Sequence, residues 1–203
     1  MSNFGSDFWD ERYSITEFVY GTKPNFFFKN DLDKLPPGKI LLLGEGEGRN
    51  AVYAASNGWK VDAVDFSSRG KEKALQLASD NDVHINYAVA DLSDYKFRQN
   101  YYDVIAIIFL HLNPELRTSI HSQVFKSLCV GGKLILEVFE KEQLGKTSGG
   151  PQDLEMLYSI EEMKKDFEKM KIELIDKKNI YLDESDHHRG DAVVIRLIAV
   201  KSE

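Results

Sequence analysis

Four short apolar runs divide the chain into regular units, and each run has the length of a buried β-strand. They lie at residues 40–43, 61–64, 104–110 and 133–139. Apolar residues at helical spacing follow the first three runs, so strands and helices are expected to alternate along the chain. This alternation predicts an α/β protein with a mainly parallel sheet.

Three further segments complete the predicted sheet. Residues 84–90 alternate between apolar and polar positions strongly enough for a strand. Segments 171–181 and 192–201 are predicted to form an antiparallel pair, joined by a polar turn at 183–191. No break in composition separates these units, and 203 residues with 42% apolar content suffice for one well-buried domain. We therefore expect a single domain over residues 1–203.

A glycine turn follows the first strand at once. Glycines at positions 44, 46 and 48 let the chain turn tightly, and a ligand can approach their bare backbone. The helix after this turn is predicted to end at Gly58, and the second strand ends on Asp65. A helix N-terminus offers free N–H groups, while an acid at the tip of the second strand can accept both hydroxyls of a ribose. The ligand is therefore expected to be a nucleoside or a nucleotide.

The charge of the glycine turn narrows the choice of ligand. Its two intervening residues are Glu45 and Glu47, and two carboxylates would repel a pyrophosphate lying on the turn. A positively charged nucleoside such as S-adenosylmethionine fits this turn better than a dinucleotide does. A nicotinamide-dependent oxidoreductase is a less favoured alternative, because the chain also lacks a Tyr-x-x-x-Lys pair.

Composition argues against several other classes of protein. Lysine and arginine number 26 against 33 acidic residues, and a net charge of −7 is unsuited to binding nucleic acid. The longest apolar run, 104–110, is too short to cross a bilayer, and the first residues do not have the pattern of a signal peptide. We expect a soluble cytoplasmic protein that acts on a small molecule, without a membrane or nucleic-acid partner. Cys129 is the only cysteine, which excludes an internal disulfide and a cluster of thiols around zinc.

Polar residues also follow the third and fourth strands, at the sheet edge where ligands bind. Asp91, at the tip of the third strand, could accept the amino group of an adenine, and Asp94 is its rival for that role. His111 follows the fourth strand and could remove a proton from an acceptor, since histidine is suited to general base work near neutral pH. The alternative for His111 is an ordinary structural or solvated histidine.

Two later segments have less specific signals. The adjacent pair His187 and His188 could bind a metal, but neighbouring side chains rarely converge on one ion, so a solvated turn without a metal is favoured. The loop 147–151 is expected to be a flexible lid or a segment that faces the substrate. Ser159 and Glu162 have the spacing of a capping box and predict the start of a helix.

Several segments together resemble the class I S-adenosylmethionine-dependent methyltransferases, and in particular their tellurite-resistance and thiopurine-methyltransferase-like branch. The strongest is the run from the first strand to the second, ILLLGEGEGRNAVYAASNGWKVDAVDFS. Shorter segments agree in family order: FWDERY at 8–13, YGTKPN at 20–25, ADLSDY at 90–95, YYDVIAIIFLHL at 101–112, GGKLILEVF at 131–139 and GGPQDLEML at 149–157. Many members of this family have an acid inside the first strand; Leu42 stands there in this chain, and Glu45 is the acid that could replace it.

The resemblance implies a doubly wound, Rossmann-like sheet of seven strands with the last strand antiparallel. It also implies that S-adenosylmethionine is the cofactor and that a methyl group is transferred to a small acceptor such as a thiol or a chalcogen oxyanion. A non-catalytic S-adenosylmethionine-binding protein is the alternative, because a fold does not establish an activity. The residues expected to bind the cofactor are Tyr20, Gly44, Glu45, Gly46, Asn50, Asp65, Phe66, Asp91, Leu92 and Phe109.

The first 36 residues are rich in aromatic side chains, from Phe4 to Phe28. Those at helical spacing would pack on the domain in any case. In proteins that this chain resembles, the N-terminal helix covers the cofactor and lines the acceptor pocket. We therefore expect residues 1–36 to form a cap, in which aromatic faces hold a sulfonium cation and exclude water. The candidates in this segment are Trp9, Arg12, Tyr13 and Tyr20, of which Trp9, Arg12 and Tyr13 are expected in the acceptor pocket.

Overall fold

The computed structural model describes residues 5–202, and Phe4 lies outside the described residues. A single seven-stranded sheet runs through them in the order β3-β2-β1-β4-β5-β7-β6. Only β7 is antiparallel to its neighbours, as predicted, so the expected fold class is confirmed. The strands are β1 Lys39–Leu43, β2 Lys60–Asp65, β3 Asn86–Val89, β4 Tyr102–Ile108, β5 Leu128–Phe139, β6 Lys171–Ser185 and β7 His188–Val200.

Helices cover both faces of the sheet. Alternate residues of β1 point to opposite faces, so Ile40 and Leu42 belong to one apolar cluster and Leu41 and Leu43 to the other. The first cluster includes residues of α2, α3 and α4, and the second includes residues of α5 and α6. The helices are α1 Ser6–Arg12, α2 Phe26–Leu32, α3 Arg49–Ser56, α4 Ser68–Asp80, α5 Pro114–Ser127 and α6 Ile160–Asp166. Among the described residues, no helix combines the length and the apolar character needed to cross a membrane.

Local capping chemistry fixes where several helices begin. Ser67 and Asn113 each accept a backbone N–H of the helix that follows, and Pro114 occupies the first position of α5. The predicted capping box of Ser159 and Glu162 is confirmed at the start of α6. The two central strands β1 and β4 are parallel neighbours in the sheet, and the strand order reverses between them. Ligands of doubly wound proteins bind outside the carboxyl ends of strands at such a point.

The hairpin of β6 and β7 differs from the prediction. The predicted polar turn at 183–191 is wrong, because strand pairing continues to Ser185 and His188, and only Asp186 and His187 remain between the strands. β6 is an edge strand with mostly polar or half-buried positions, so its end has no apolar run to mark it. The longer hairpin brings its tip to the carboxyl edge of the sheet.

Candidate active site

A cavity of about 460 Å³ opens at the carboxyl ends of β1, β2 and β4, beneath the N-terminal segment. It has the size and position of a small-molecule site. Apart from Asp94, the rival of Asp91, all the residues that the sequence predicts for the cofactor, the acceptor pocket and catalysis line it. These residues are Trp9, Arg12, Tyr13, Tyr20, Gly44, Glu45, Gly46, Asn50, Asp65, Phe66, Asp91, Leu92, Phe109 and His111.

The glycine turn needs glycine for two separate reasons. Gly44, Gly46 and Gly48 all have positive φ angles, of 65°, 60° and 90°, which L side chains rarely adopt. A Cβ atom on Gly46 would also lie 2.7 Å from the hydroxyl of Tyr13, and one on Gly48 would lie 2.6 Å from the Cβ of Ala74. The turn therefore presents bare backbone to the cavity and lets the cap approach it closely.

Glu45 lies under the glycine turn and caps α3. One of its carboxylate oxygens accepts the backbone N–H groups of Asn50 and Ala51, at 2.9 and 2.7 Å. Burial raises the pKa of Glu45 to about 7, although these two hydrogen bonds oppose the shift. These donors of the helix N-terminus are already occupied, so they are not available to a pyrophosphate.

Glu47 is ion-paired with Lys73 at 2.5 Å, so it does not act on a ligand as a free charge. The expectation that Glu45 and Glu47 repel a pyrophosphate as two unpaired carboxylates is therefore corrected. A pyrophosphate is disfavoured mainly because Glu45 takes the helix donors that it would use.

Asp65 ends β2 at the wall of the cavity. Its two carboxylate oxygens accept the backbone N–H groups of Gly46, at 3.1 Å, and Ser67, at 2.9 Å. Each oxygen keeps a second lone pair for another donor. Burial raises the pKa of Asp65 to about 6, in spite of the backbone hydrogen bonds. This arrangement suits the acceptance of hydroxyl groups from a bound ribose.

Asp91 also lines the cavity, and its side chain accepts the N–H of Ser93. Asp94 is not among the lining residues, which favours Asp91 over its rival.

The cap covers the cavity with a cluster of aromatic rings. Trp9 stacks on Tyr13 with ring centroids 5.5 Å apart, and Tyr20 lies 6.4 Å from each of them. Arg12 donates a 3.0 Å hydrogen bond to the hydroxyl of Tyr20. Tyr13 is buried against the domain and also lines the cavity. The same aromatic contacts therefore pack the cap on the domain and cover the cavity.

Asp10, which no sequence pattern indicated, attaches the cap to the domain. Asp10 accepts hydrogen bonds from the hydroxyls of Ser67 and Ser68 and from the N–H of Arg69. These three residues begin α4 directly after Asp65 and Phe66. An acid directly after Trp9 was visible in the sequence, but its partner 57 residues away was not.

The geometry of His111 weighs against a role as general base. Its Nδ1–H donates to the carbonyl of Met156 at 2.9 Å, and its Nε2 accepts the N–H of Phe139 at 3.3 Å. Burial lowers the pKa of His111 to about 4. Both ring nitrogens are therefore engaged by backbone groups, and the ring is best explained as a support for the wall of the cavity.

His188 is the residue whose predicted position differs most from the structure. The expected solvated turn is wrong for it, because His188 is 6% exposed and lines the cavity. Its Nδ1 lies 3.1 Å from a carboxylate oxygen of Glu184, and the same oxygen lies 2.9 Å from Arg49. Within residues 5–202 the structure contains no cluster of three or more histidine, cysteine or acidic side chains that could hold a metal. Only the strand register of the hairpin could have revealed this contact.

The loop 147–151 faces the cavity through Gly150 and Pro151. A buried glutamine holds this loop: the amide NH₂ of Gln143 donates to the hydroxyl of Ser148 and the carbonyl of Gly149. Its amide oxygen accepts the N–H of Val193 in β7. The loop is therefore a fixed wall of the cavity in this conformation.

The chain matches the family model described as "Tellurite resistance protein TehB" over residues 5–198. It belongs to this family. A TehB relative from Haemophilus influenzae (strain 10810), named as a probable S-adenosyl-L-methionine-dependent methyltransferase, is 28% identical over 128 residues. That match covers 62% of this chain and 42% of the relative, so the chain spans about two fifths of the relative's length.

Solved structures share the TehB fold at low sequence identity. The crystal structure of TehB from Haemophilus influenzae has a TM-score of 0.71 at 19% identity, covering 97% of this chain and 66% of that one. Phosphoethanolamine N-methyltransferase 2 from Haemonchus contortus, solved in complex with S-adenosyl-L-methionine, has a TM-score of 0.68 at 17% identity. That match covers all of this chain and 58% of the other. These likenesses confirm the fold.

Proposed function

We propose that the protein is an S-adenosylmethionine-dependent methyltransferase that transfers a methyl group to a small acceptor with a soft nucleophilic atom, such as a thiol or a chalcogen oxyanion. The main observation behind this proposal is a single cavity whose two halves are lined by different kinds of residue. The half formed by the glycine turn and Asp65 suits a nucleoside, and the half under the cap is lined by aromatic rings and histidines. Membership of the TehB family and neighbours solved with S-adenosylmethionine or S-adenosylhomocysteine support it.

The residues of the first half fit this cofactor. Asp65 would accept the ribose hydroxyls, and the bare backbone of Gly44 and Gly46 would lie against the methionine part. Asp91 and Leu92 would contact the adenine. Acidic side chains around this half suit a ligand with a positive charge, and Glu45 leaves few free N–H groups for a phosphate.

The residues of the second half would position the acceptor. A sulfonium methyl group is already activated, so the cofactor supplies the leaving group. The chain then has to hold the acceptor in line with that methyl group and to exclude water. Trp9, Tyr13 and Tyr20 provide the rigid aromatic surfaces for this, and their π faces can lie against a cationic centre.

Two assays test the proposal. Calorimetry should detect binding of S-adenosylmethionine and no binding of NAD at the same concentration. A screen of thiols, chalcogen oxyanions and small amines should then find acceptors that release S-adenosylhomocysteine. Binding without release for every acceptor would favour the non-catalytic alternative, and binding of NAD alone would favour the oxidoreductase.

A further inference from the structure

Two histidines line the acceptor half of the cavity, and they differ in what remains free on the ring. His111 has both nitrogens engaged by backbone groups. His188 is held at Nδ1 by Glu184, and among the described residues no side chain or backbone group is hydrogen-bonded to its Nε2. Because a carboxylate accepts the Nδ1 proton, the tautomer that fits this contact has an unprotonated Nε2.

The surroundings of His188 suit a group that exchanges a proton with a bound molecule. Its ring centroid lies 4.6 Å from that of Tyr20, 4.8 Å from Phe109 and 5.7 Å from Phe139, so the buried ring is packed among aromatic side chains. On the other edge of the ring, a Cβ atom on Gly149 would lie 2.7 Å from Cδ2 and 3.0 Å from Nε2, so only a glycine fits against the ring there.

We propose that His188 is a catalytic residue that accepts the proton of a thiol acceptor, and that Glu184 is the positioning residue that holds its ring and tautomer. This inference rests on the proposed methyltransferase function. It selects, among the acceptors considered above, those that still have a proton on the nucleophilic atom near neutral pH. An oxyanion acceptor would not need this step.

The groups around His188 keep its ring neutral before the reaction and stabilise the imidazolium that forms during it. Burial lowers its pKa, and Arg49 and His187 act in the same direction, while Glu184 opposes them. Burial also disfavours the charge on Glu184, but His188 and Arg49 outweigh it and lower the pKa of Glu184 to about 2. Glu184 is therefore anionic near neutral pH and can stabilise the imidazolium that forms.

The proton of the thiol moves first to His188 and finally to water. The S–H bond of the thiol breaks, its electron pair stays on sulfur as the thiolate, and the proton forms a bond to Nε2. Methyl transfer then leaves a methyl thioether and neutral S-adenosylhomocysteine. The imidazolium finally gives its proton to water, which restores the neutral ring.

The first test compares two thiols at about pH 6.5, with cofactor at saturation. 2-Mercaptoethanol, whose pKa is above the ~8.5 of free cysteine, is less than ~1% thiolate at this pH. 4-Nitrothiophenol is already a thiolate. We expect His188→Gln to lose about 100-fold in turnover of 2-mercaptoethanol, in the range typical of a lost general base, and less than about threefold with 4-nitrothiophenol. Activity on the second thiol also shows that the variant is folded.

The matched control is His187→Gln, because His187 is the exposed neighbour of His188 between β6 and β7 and does not line the cavity. Because His187 has the smallest influence on the pKa of His188 among the groups named above, His187→Gln should change both rates by less than about threefold. The inference would be overturned if His188→Gln lost turnover by the same factor with both thiols. It would also be overturned if this variant kept wild-type turnover with both. Wild-type protein that methylates other acceptors but neither thiol would also overturn it, whereas no activity on any acceptor would contradict the proposed function instead.

The role of Glu184 is tested by the pH profile. Glu184 raises the proton affinity of His188, so Glu184→Gln should move the acidic limb of the turnover profile with 2-mercaptoethanol to lower pH. A purely structural role would lower the rate without moving this limb.

Discussion

The two halves of the cavity are built in different ways. The cofactor half comes mainly from one continuous unit, residues 38–66, in which strand, turn and helix follow each other. The acceptor half combines the cap, the end of β4, the loop after β5 and the tip of the β6–β7 hairpin. A half made from one unit depends on local rules of turns and caps, whereas a half made from four segments depends on how the whole sheet is assembled.

A buried polar network joins the two halves. Asn25 donates its backbone N–H to the side chain of Asn50 in α3, and its amide donates to Glu137 in β5. Glu137 is ion-paired with Arg196 of β7. Such a network has to be fully satisfied to be stable, so it fixes the position of the hairpin relative to the glycine turn.

The largest expected effect is on the acceptor half. The double variant Trp9→Ala, Tyr20→Ala should lose about 100-fold in kcat/KM for the best acceptor of the screen, because positioning contributes more than most single groups. The measurement is steady-state kinetics with saturating cofactor. Calorimetric binding of S-adenosylmethionine and a thermal melt serve as controls. A rate within about threefold of the wild type would contradict the assignment of the cap to acceptor binding.

The next effect concerns the cofactor half. Asp65→Ala should weaken binding of S-adenosylmethionine by about tenfold or more, because a hydrogen bond to a charged group contributes about 1.5–3 kcal/mol. The matched control is Asp62→Ala, since Asp62 lies on the same strand and accepts hydrogen bonds from Asn86 and Tyr102 away from the cavity. If calorimetry gave both variants the same affinity for S-adenosylmethionine, the assignment of Asp65 to the cofactor site would be wrong.

His111 should matter less than the cap. We expect His111→Gln to lower turnover by less than about tenfold, because its ring supports the wall through two backbone hydrogen bonds and has no free nitrogen for proton transfer. The measurement is the same kinetic assay. Loss of all turnover with unchanged cofactor binding would identify His111 as the base and overturn the distinction between the two histidines.

The smallest effect is a dependence of cofactor binding on pH. The folded-state pKa of Asp65 is raised to about 6, so this carboxyl is mostly ionised at pH 7.5 and mostly protonated at pH 5.5. If the ionised form binds the cofactor, affinity should fall about fourfold over this range, from the fraction ionised. Calorimetry at both values measures it, and the dependence should be weaker in Asp65→Ala, where Glu45 is left as a cavity carboxyl with a raised pKa.

The same raised pKa values have a defined effect on folding. Glu45 and Asp65 bind protons more tightly in the folded state than in the unfolded state, since burial raises the pKa of each. Their contribution to the free energy of unfolding is therefore largest below about pH 4 and decreases as pH rises through about 6 and 7.

The sequence predicts the cofactor half well because its signals are local. Three glycines directly after an apolar run, and Asp65 at the end of the next run, determine the turn and the position of the acid. The structure adds one correction, because Glu47 is ion-paired with Lys73 and is not a free charge beside the turn.

The acceptor half is less predictable because its contacts link residues far apart in the chain. Arg49 and Glu184 are 135 positions apart, and the partners of His111 are backbone groups of residues 139 and 156. No side-chain pattern indicates a hydrogen bond to a main-chain carbonyl. The position of His188 depends on the register of an edge hairpin, which polar strands specify weakly.

The buried amide of Gln143 has a consequence for engineering. It ties the segment with Ser148 and Gly149 to β7 by three hydrogen bonds, which restrain the backbone directly before Gly150 and Pro151. Side chains at the acceptor end of the cavity can therefore be exchanged without redesigning a moving loop. Libraries at Pro151 and Met156 would change the shape of the acceptor site while the main chain stays in place, which makes this scaffold suited to selecting methyltransferases with new acceptors.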